Sequence, residues 1–243
     1  MPLDDLLIHR AGPICTLTMN RPKVMNALNA DLVLSLVNAL EDLSSEREIR
    51  VLVLQGSGGH FSAGADMDLL QQDLDALEYL KMMKVVGRLI RTMREMPQPI
   101  ITRIRGAAYG LGSNLALAGD FAVACDQARF CEVFIHIGVI MDGGGTFFLP
   151  RLVGTAKARE IAMLGREFSG AELAARGLIY KSVPDEDLDA QVASVAQKLA
   201  NRSQEALALI KAGLEACWTM NLKGILDWEA GRQLIILRGQ VYV

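Results

Sequence analysis

The chain has 243 residues, of which 51% are hydrophobic and 22% charged, with a formal net charge of -3. That length suits one domain, or one domain with an appendage, around a sizeable core. The mildly acidic balance, without any basic run, excludes the electrostatic footprint of a nucleic-acid binder.

The four cysteines, Cys15, Cys125, Cys131 and Cys217, form no CxxC pair and adjoin no histidine cluster. Reduced, buried thiols in a cytosolic protein are the expectation. The first residues, Met-Pro-Leu-Asp-Asp-Leu-Leu, lack the basic and apolar regions of a signal peptide. No apolar run approaches the ~20 residues of a membrane span, so a cytoplasmic protein without a membrane partner is expected.

Leu6–Arg10 and Ile14–Met19 read as a hairpin split by Ala11-Gly12-Pro13, and the second run alternates as a half-buried strand would. Asn29 or Asp31 caps a predicted helix to about Ser45, with Leu32, Leu36, Leu40 and Leu43 on one face. Val51–Gln55 reads as a strand buried on both faces. A helix is expected over about Leu74–Met96, ended by Pro97 and Pro99. Ile100–Ile104, Phe121–Cys125 and Arg129–Phe134 read as strands, with a short helix at Asn114–Ala118. Further helices are expected at Thr155–Leu164, Gly170–Gly177, Pro184–Arg202, Ser203–Met220 and Leu222–Leu237. Strands alternating with helices, followed by helices alone, predict an α/β core over residues 1–160 and a helical region over 161–243.

Two glycine-rich loops, Ser62–Asp66 and Gly106–Gly112, each follow a strand and precede a helix. Such loops expose backbone amides at helix starts, and two amides converging on one point make an oxyanion hole. Asp142 lies between an apolar run and the glycines Gly143, Gly144 and Gly145. By residue type alone these could equally be turn formers.

Four motifs then stand in order: Asn20-Arg21-Pro22 with Asn26-Ala27-Leu28, Phe61-Ser62-Ala63-Gly64-Ala65-Asp66, Gly106 with Gly110-Leu111-Gly112, and Gly144-Gly145-Thr146 with Leu149-Pro150-Arg151. Together they resemble the crotonase family, the enoyl-CoA hydratase/isomerase superfamily, over nearly the whole chain. Gly177–Val183 resembles the family's pattern before its C-terminal helices. The resemblance implies a spiral of ββα units forming two sheets, with a helical trimerisation region giving a homotrimer or a dimer of trimers. Family chains continue past the helix ending near Leu237, so the usual last helix is expected to be missing.

The resemblance also implies an acyl-CoA thioester substrate, coenzyme A being part of that substrate and no cofactor or metal being needed. The thioester carbonyl would lie between the amides of Ala65 and Leu111. The coenzyme A phosphates and ribose would lie over Lys23, Val24 and the loop containing Ala63, Asp66, Met67 and Asp68. Asp66 is expected to fix that loop, and Asp68 replaces a basic residue of some hydratases.

The departures from the family pattern bear on the reaction. Where family hydratases carry two glutamates, this chain has Asn114 and Phe134, neither of which exchanges a proton near neutral pH. Isomerase-like members carry an aspartate at the position of Asp142. A single carboxylate there can move one proton along an allylic thioester, desolvated by Val139, Ile140 and Met141. The expectation is therefore a double-bond isomerase. Hydratase-like activity, an aromatic acyl-CoA dehalogenase or hydrolase with Asp142 as nucleophile, and a non-catalytic acyl-CoA binder are the alternatives. Asn114 could bind a substrate oxygen or Asp142. His60 is expected at the surface, and His136 on the face of Phe134 if that stretch is extended.

Overall fold

The computed structural model describes residues 5–66 and 75–240. A six-stranded sheet runs in the order β1 (Leu6–Ala11), β2 (Ile14–Met19), β3 (Val51–Gly56), β4 (Ile100–Ile104), β6 (Phe121–Cys125) and β9 (Lys181–Val183). Only the β1–β2 hairpin is antiparallel within it. A second sheet joins β5 (Ala107–Tyr109), β7 (Arg129–Cys131) and β8 (Phe168–Ser169). Parallel strands need crossovers and burial on both faces. Accordingly β3 buries Val51, Leu52, Val53 and Leu54 in succession, whereas β2 buries only alternate residues, Cys15, Leu17 and Met19.

Helix α1 (Ala30–Ser45) begins where the Asn29 side chain accepts from the Leu32 amide at 2.9 Å. Its buried stripe of Leu32, Leu36, Leu40 and Leu43 agrees with the sequence periodicity. It packs against α2 (Ala76–Glu95), which opens with a capping box between Asp75 and Glu78. Helix α3 (Leu111–Leu117) follows β5 directly, with every residue buried. Then come α4 (Gly145–Leu164), α5 (Gly170–Ala175), α6 (Leu188–Ala200), α7 (Gln204–Ala216) and α8 (Leu222–Gln240). Buried Lys211 on α7 bonds to Asp120 and to the carbonyls of Met93 and Gln98, tying the C-terminal helices to the core.

Three expectations need correction. Residues 161–243 are not wholly helical, because β8 and β9 complete both sheets. Both strands are too short for alternation to register in the sequence. The expected strand Arg129–Phe134 stops at Cys131 and turns into a 3-10 helix over Val133–Ile137. His136 is therefore not on a strand face with Phe134, and it is exposed. Finally, α4 opens at Gly145 with a helical stretch outside the expectation; it contains Pro150 and ends at the non-helical Gly154 (φ 75°, ψ 160°), after which the expected helix Thr155–Leu164 follows. Gly154 breaks the helix as glycine is expected to, whereas Pro150 is accommodated within the first stretch.

Candidate active site

The first loop is held by Asn26, a fully buried residue with φ 54°. Its Nδ2 donates to the carbonyls of Ser57 and His60, and its Oδ1 accepts from the Arg21 amide. Asparagine suits this left-handed position because its side chain satisfies the neighbouring backbone. The Arg21 guanidinium in turn donates to Asp66 and to the Ala27 carbonyl, both at 2.6 Å. Asp66 thus faces inward on an ion pair. The Ser62 hydroxyl donates to the Asn26 carbonyl and accepts from the Gly64 amide.

Single-residue bridges join Ala65 to Leu28 and Ser62 to Ala108, so the loop lies between the entry to α1 and the strand leading into α3. Gly64, with φ 94°, makes the close approach possible. A Cβ there would stand 2.6 Å from the Tyr109 carbonyl oxygen and 3.4 Å from the Leu111 nitrogen. The two glycine-rich loops therefore meet beside the Leu111 amide. Neither the Ala65 nor the Leu111 amide donates a hydrogen bond among the described residues. Leu111 is the first residue of α3, where the helix leaves its amides free and its dipole favours negative charge.

A cavity of about 200 Å³ between α1 and α2 is lined by Ala65, Leu111 and Asp142 together with apolar side chains such as Leu28, Val33 and Val86. Burial pushes the Asp142 carboxyl up to about 6, opposed by a backbone hydrogen bond. Of the three apolar neighbours expected to desolvate it, only Met141 packs on the core. Val139 and Ile140 are exposed, Ile140 by 89%, and the cavity wall supplies the desolvation instead.

Asn114 is fully buried, and its Nδ2 donates to the backbone carbonyl of Asp142 at 2.9 Å. The glycine run makes room for this contact. A Cβ on Gly145 would stand 2.6 Å from Asn114 Nδ2, and one on Gly143 would stand 2.5 Å from Leu111 Cδ1. Gly145→Ala should therefore displace the Asn114 amide and cost about 1–3 kcal/mol of stability, with a fall in turnover. Urea unfolding followed alongside the activity of the variant checks this.

The same Nδ2 donates at 3.3 Å to Glu132, a residue that the sequence reading did not single out. Glu132 is 1% exposed. Its one signal in the sequence was a lone carboxylate within the apolar run Phe130, Cys131, Val133 and Phe134.

A model of the enoyl-CoA hydratase/isomerase family matches residues 9–234. The chain belongs to the enoyl-CoA hydratase/isomerase family. It is similar to the 1,2-epoxyphenylacetyl-CoA isomerase of Escherichia coli K12, at 32% identity over 99% of this chain and 93% of that one. A probable enoyl-CoA hydratase of Rhodobacter capsulatus is 36% identical over 90% of this chain and 84% of its own length. Among solved structures, a putative enoyl-CoA hydratase from Streptomyces coelicolor A3(2) superposes with a TM-score of 0.93 at 32% identity. That match covers 100% of this chain and 90% of the other. The architecture described above is thus the crotonase fold.

Within this enoyl-CoA hydratase/isomerase family member, the remaining sequence candidates fall in separate places. Lys23 and Val24 sit exposed on a 3-10 turn, next to Met25, whose carbonyl accepts from the Ala63 amide. They flank the first loop without lining the cavity. Met67 and Asp68 lie outside the described residues. Phe134 is buried and packs where a Cβ on Gly110 would come within 3.6 Å of its ring, so it backs the turn before Leu111. His60 is only half-buried, and its Nδ1 accepts from the Ala107 amide, bracing β5. Among the described residues, no group of three or more His, Cys, Asp or Glu could hold a metal ion, and no helix is long and apolar enough to cross a membrane.

Proposed function

We propose that this protein isomerises the double bond of an enoyl-CoA thioester, with Asp142 as the single proton shuttle. The observation that carries this reading is the cavity where the Asp142 side chain meets the Ala65 and Leu111 residues, while the two hydratase glutamate positions hold Asn114 and Phe134. Asn114 is engaged with the Asp142 backbone and Phe134 is walled into the turn. Neither can activate water.

In the proposed reaction the thioester oxygen accepts from the Ala65 and Leu111 amides. The Asp142 carboxylate takes a proton from the carbon next to the carbonyl, and the electron pair moves onto the thioester oxygen as a dienolate. Asp142, now protonated, returns that proton two carbons further along, and the double bond shifts into conjugation. No atom is gained or lost. A carboxyl raised to about 6 is mostly ionised at pH 7, and it is a stronger base than an ordinary aspartate. The similarity to the 1,2-epoxyphenylacetyl-CoA isomerase supports an isomerase, and the similarity to hydratases leaves water addition as the competing reading. Glu132 does not restore a hydratase pair, because it is sealed behind Asn114 and does not line the cavity.

The test is to mix the protein with a 3-enoyl-CoA and follow the conjugated 2-enoyl thioester by ultraviolet absorbance. Absorbance growth is expected. Efficient hydration of crotonyl-CoA without isomerisation would overturn the proposal.

A further inference from the structure

The arrangement behind Asp142 leaves one group outside this mechanism. Asn114 Nδ2 donates both to the Asp142 carbonyl and to Glu132 Oε2, so one amide bridges two carboxyl-bearing residues. Among the described residues, three buried acceptors in this cluster, Glu132 Oε1, Asn114 Oδ1 and Asp142 Oδ1, have no donor. The groups facing Glu132 from each packed element are Ser113 and Asn114 of α3, Asp142 of the glycine loop, the neighbouring Cys131 thiol of β7, and apolar side chains of α4, α5 and Phe168. None of these is a cation. Two ionised carboxylates sharing such a site would repel across low dielectric with nothing to offset them.

We propose that Glu132 is a positioning residue that acts as a neutral acid, holding a proton behind Asn114 while Asp142 carries the single negative charge of the pair. This deepens the isomerase reading and rests on Asp142 being its base. The proton supplies a donor to a cluster in which three acceptors lack one. It also leaves the Asn114 amide free to hold the Asp142 carbonyl, rather than being drawn toward a charged Glu132. Burial pushes the Glu132 carboxyl up to about 7, opposed by hydrogen bonds from Ser113 and Asn114 and reinforced by the Asp142 charge. The two groups titrate as a coupled pair, and the second proton leaves the site near pH 7.

Ionising Glu132 should loosen the Asp142 loop, so turnover should fall on the alkaline side. From pH 7 to 8 the wild-type kcat should drop about fivefold, as expected for loss of a single proton near 7. Glu132→Gln keeps the shape, remains neutral and can donate to Asn114 Oδ1. Its kcat should change less than about 1.5-fold over that interval. A residue that served packing alone would lower kcat evenly at every pH.

An activity-independent readout accompanies the kinetics. Difference infrared spectroscopy should find a buried protonated carboxyl in the wild type that titrates near pH 7 and is missing from Glu132→Gln. In Asp142→Asn that band should remain but be lost at lower pH, because the neighbouring charge is gone. An alkaline limb that persists in Glu132→Gln, or a band unmoved by Asp142→Asn, would overturn the assignment. If the wild type proves not to be an isomerase, the infrared titration still decides the charge state of Glu132.

Discussion

Asp142→Asn is expected to lower isomerase kcat by roughly 100- to 10,000-fold, the range for loss of a positioned general base. Asparagine preserves the shape of the side chain and leaves both amides and the cavity wall in place. Binding of an unreactive acyl-CoA should therefore persist, and the loss should appear in kcat rather than in ligand affinity. The pH dependence makes the test stricter. Wild-type activity should decline as the pH falls through about 6, where Asp142 takes up its proton. The residual activity of the variant should lack that acid limb.

Stability carries the same signature with a definite sign. The folded Asp142 carboxyl lies above its ordinary value, so between about pH 4 and 6 the folded state binds more protons than the unfolded state. The Asp142 contribution to wild-type stability should decrease as the pH rises through that window and then level off. The variant should not show this contribution, and it should be more stable near neutrality by on the order of 2 kcal/mol. A carboxyl that is desolvated where it stands destabilises the fold once it ionises. Equal stability-pH curves for the two proteins would show that burial does not perturb Asp142.

Much of this arrangement was legible in the residues, and the exceptions have physical causes. The α1 stripe and the all-apolar β3 follow from period and burial, which the sequence writes directly. The Asn26 loop clamp depends on three contacts from residues 5 to 34 positions away, and no local pattern encodes such contacts. Glu132 was hidden for a related reason. A carboxylate in an apolar run reads as a surface residue on a strand edge until the chain turns into a 3-10 helix one residue later. That same turn moved Phe134 and His136 off the expected strand face. Glycine motifs located the meeting point of the two loops, but which atoms each glycine admits became clear only from the packed neighbours.

Leu111→Pro should test the proposed oxyanion amide at that position, replacing its hydrogen by a ring carbon. Proline lacks the N–H, yet it is tolerated at the first residue of a helix, where that N–H makes no intrahelical bond. Leu111 is that residue in α3. The preceding Gly110, at φ 51° and ψ -120°, is the mirror image of the extended conformation favoured before proline, and glycine adopts it without penalty. Loss of one donor from an oxyanion hole should cost about 3 kcal/mol of barrier, or roughly 100- to 1,000-fold in kcat. Both Leu111→Pro and Leu111→Ala lose the side chain that packs over Gly143 and lines the cavity. Alanine, however, keeps the amide. Its defect should fall mainly on KM, with kcat within about tenfold of wild type. The kcat ratio between the two variants thus reads the replacement of the amide hydrogen by a ring carbon, provided circular dichroism and thermal unfolding confirm that both are folded. If proline and alanine variants turned over equally, the Leu111 amide would not be holding the oxyanion. The charge of the dienolate would then have to be met by Ala65 alone or by groups outside the two loops.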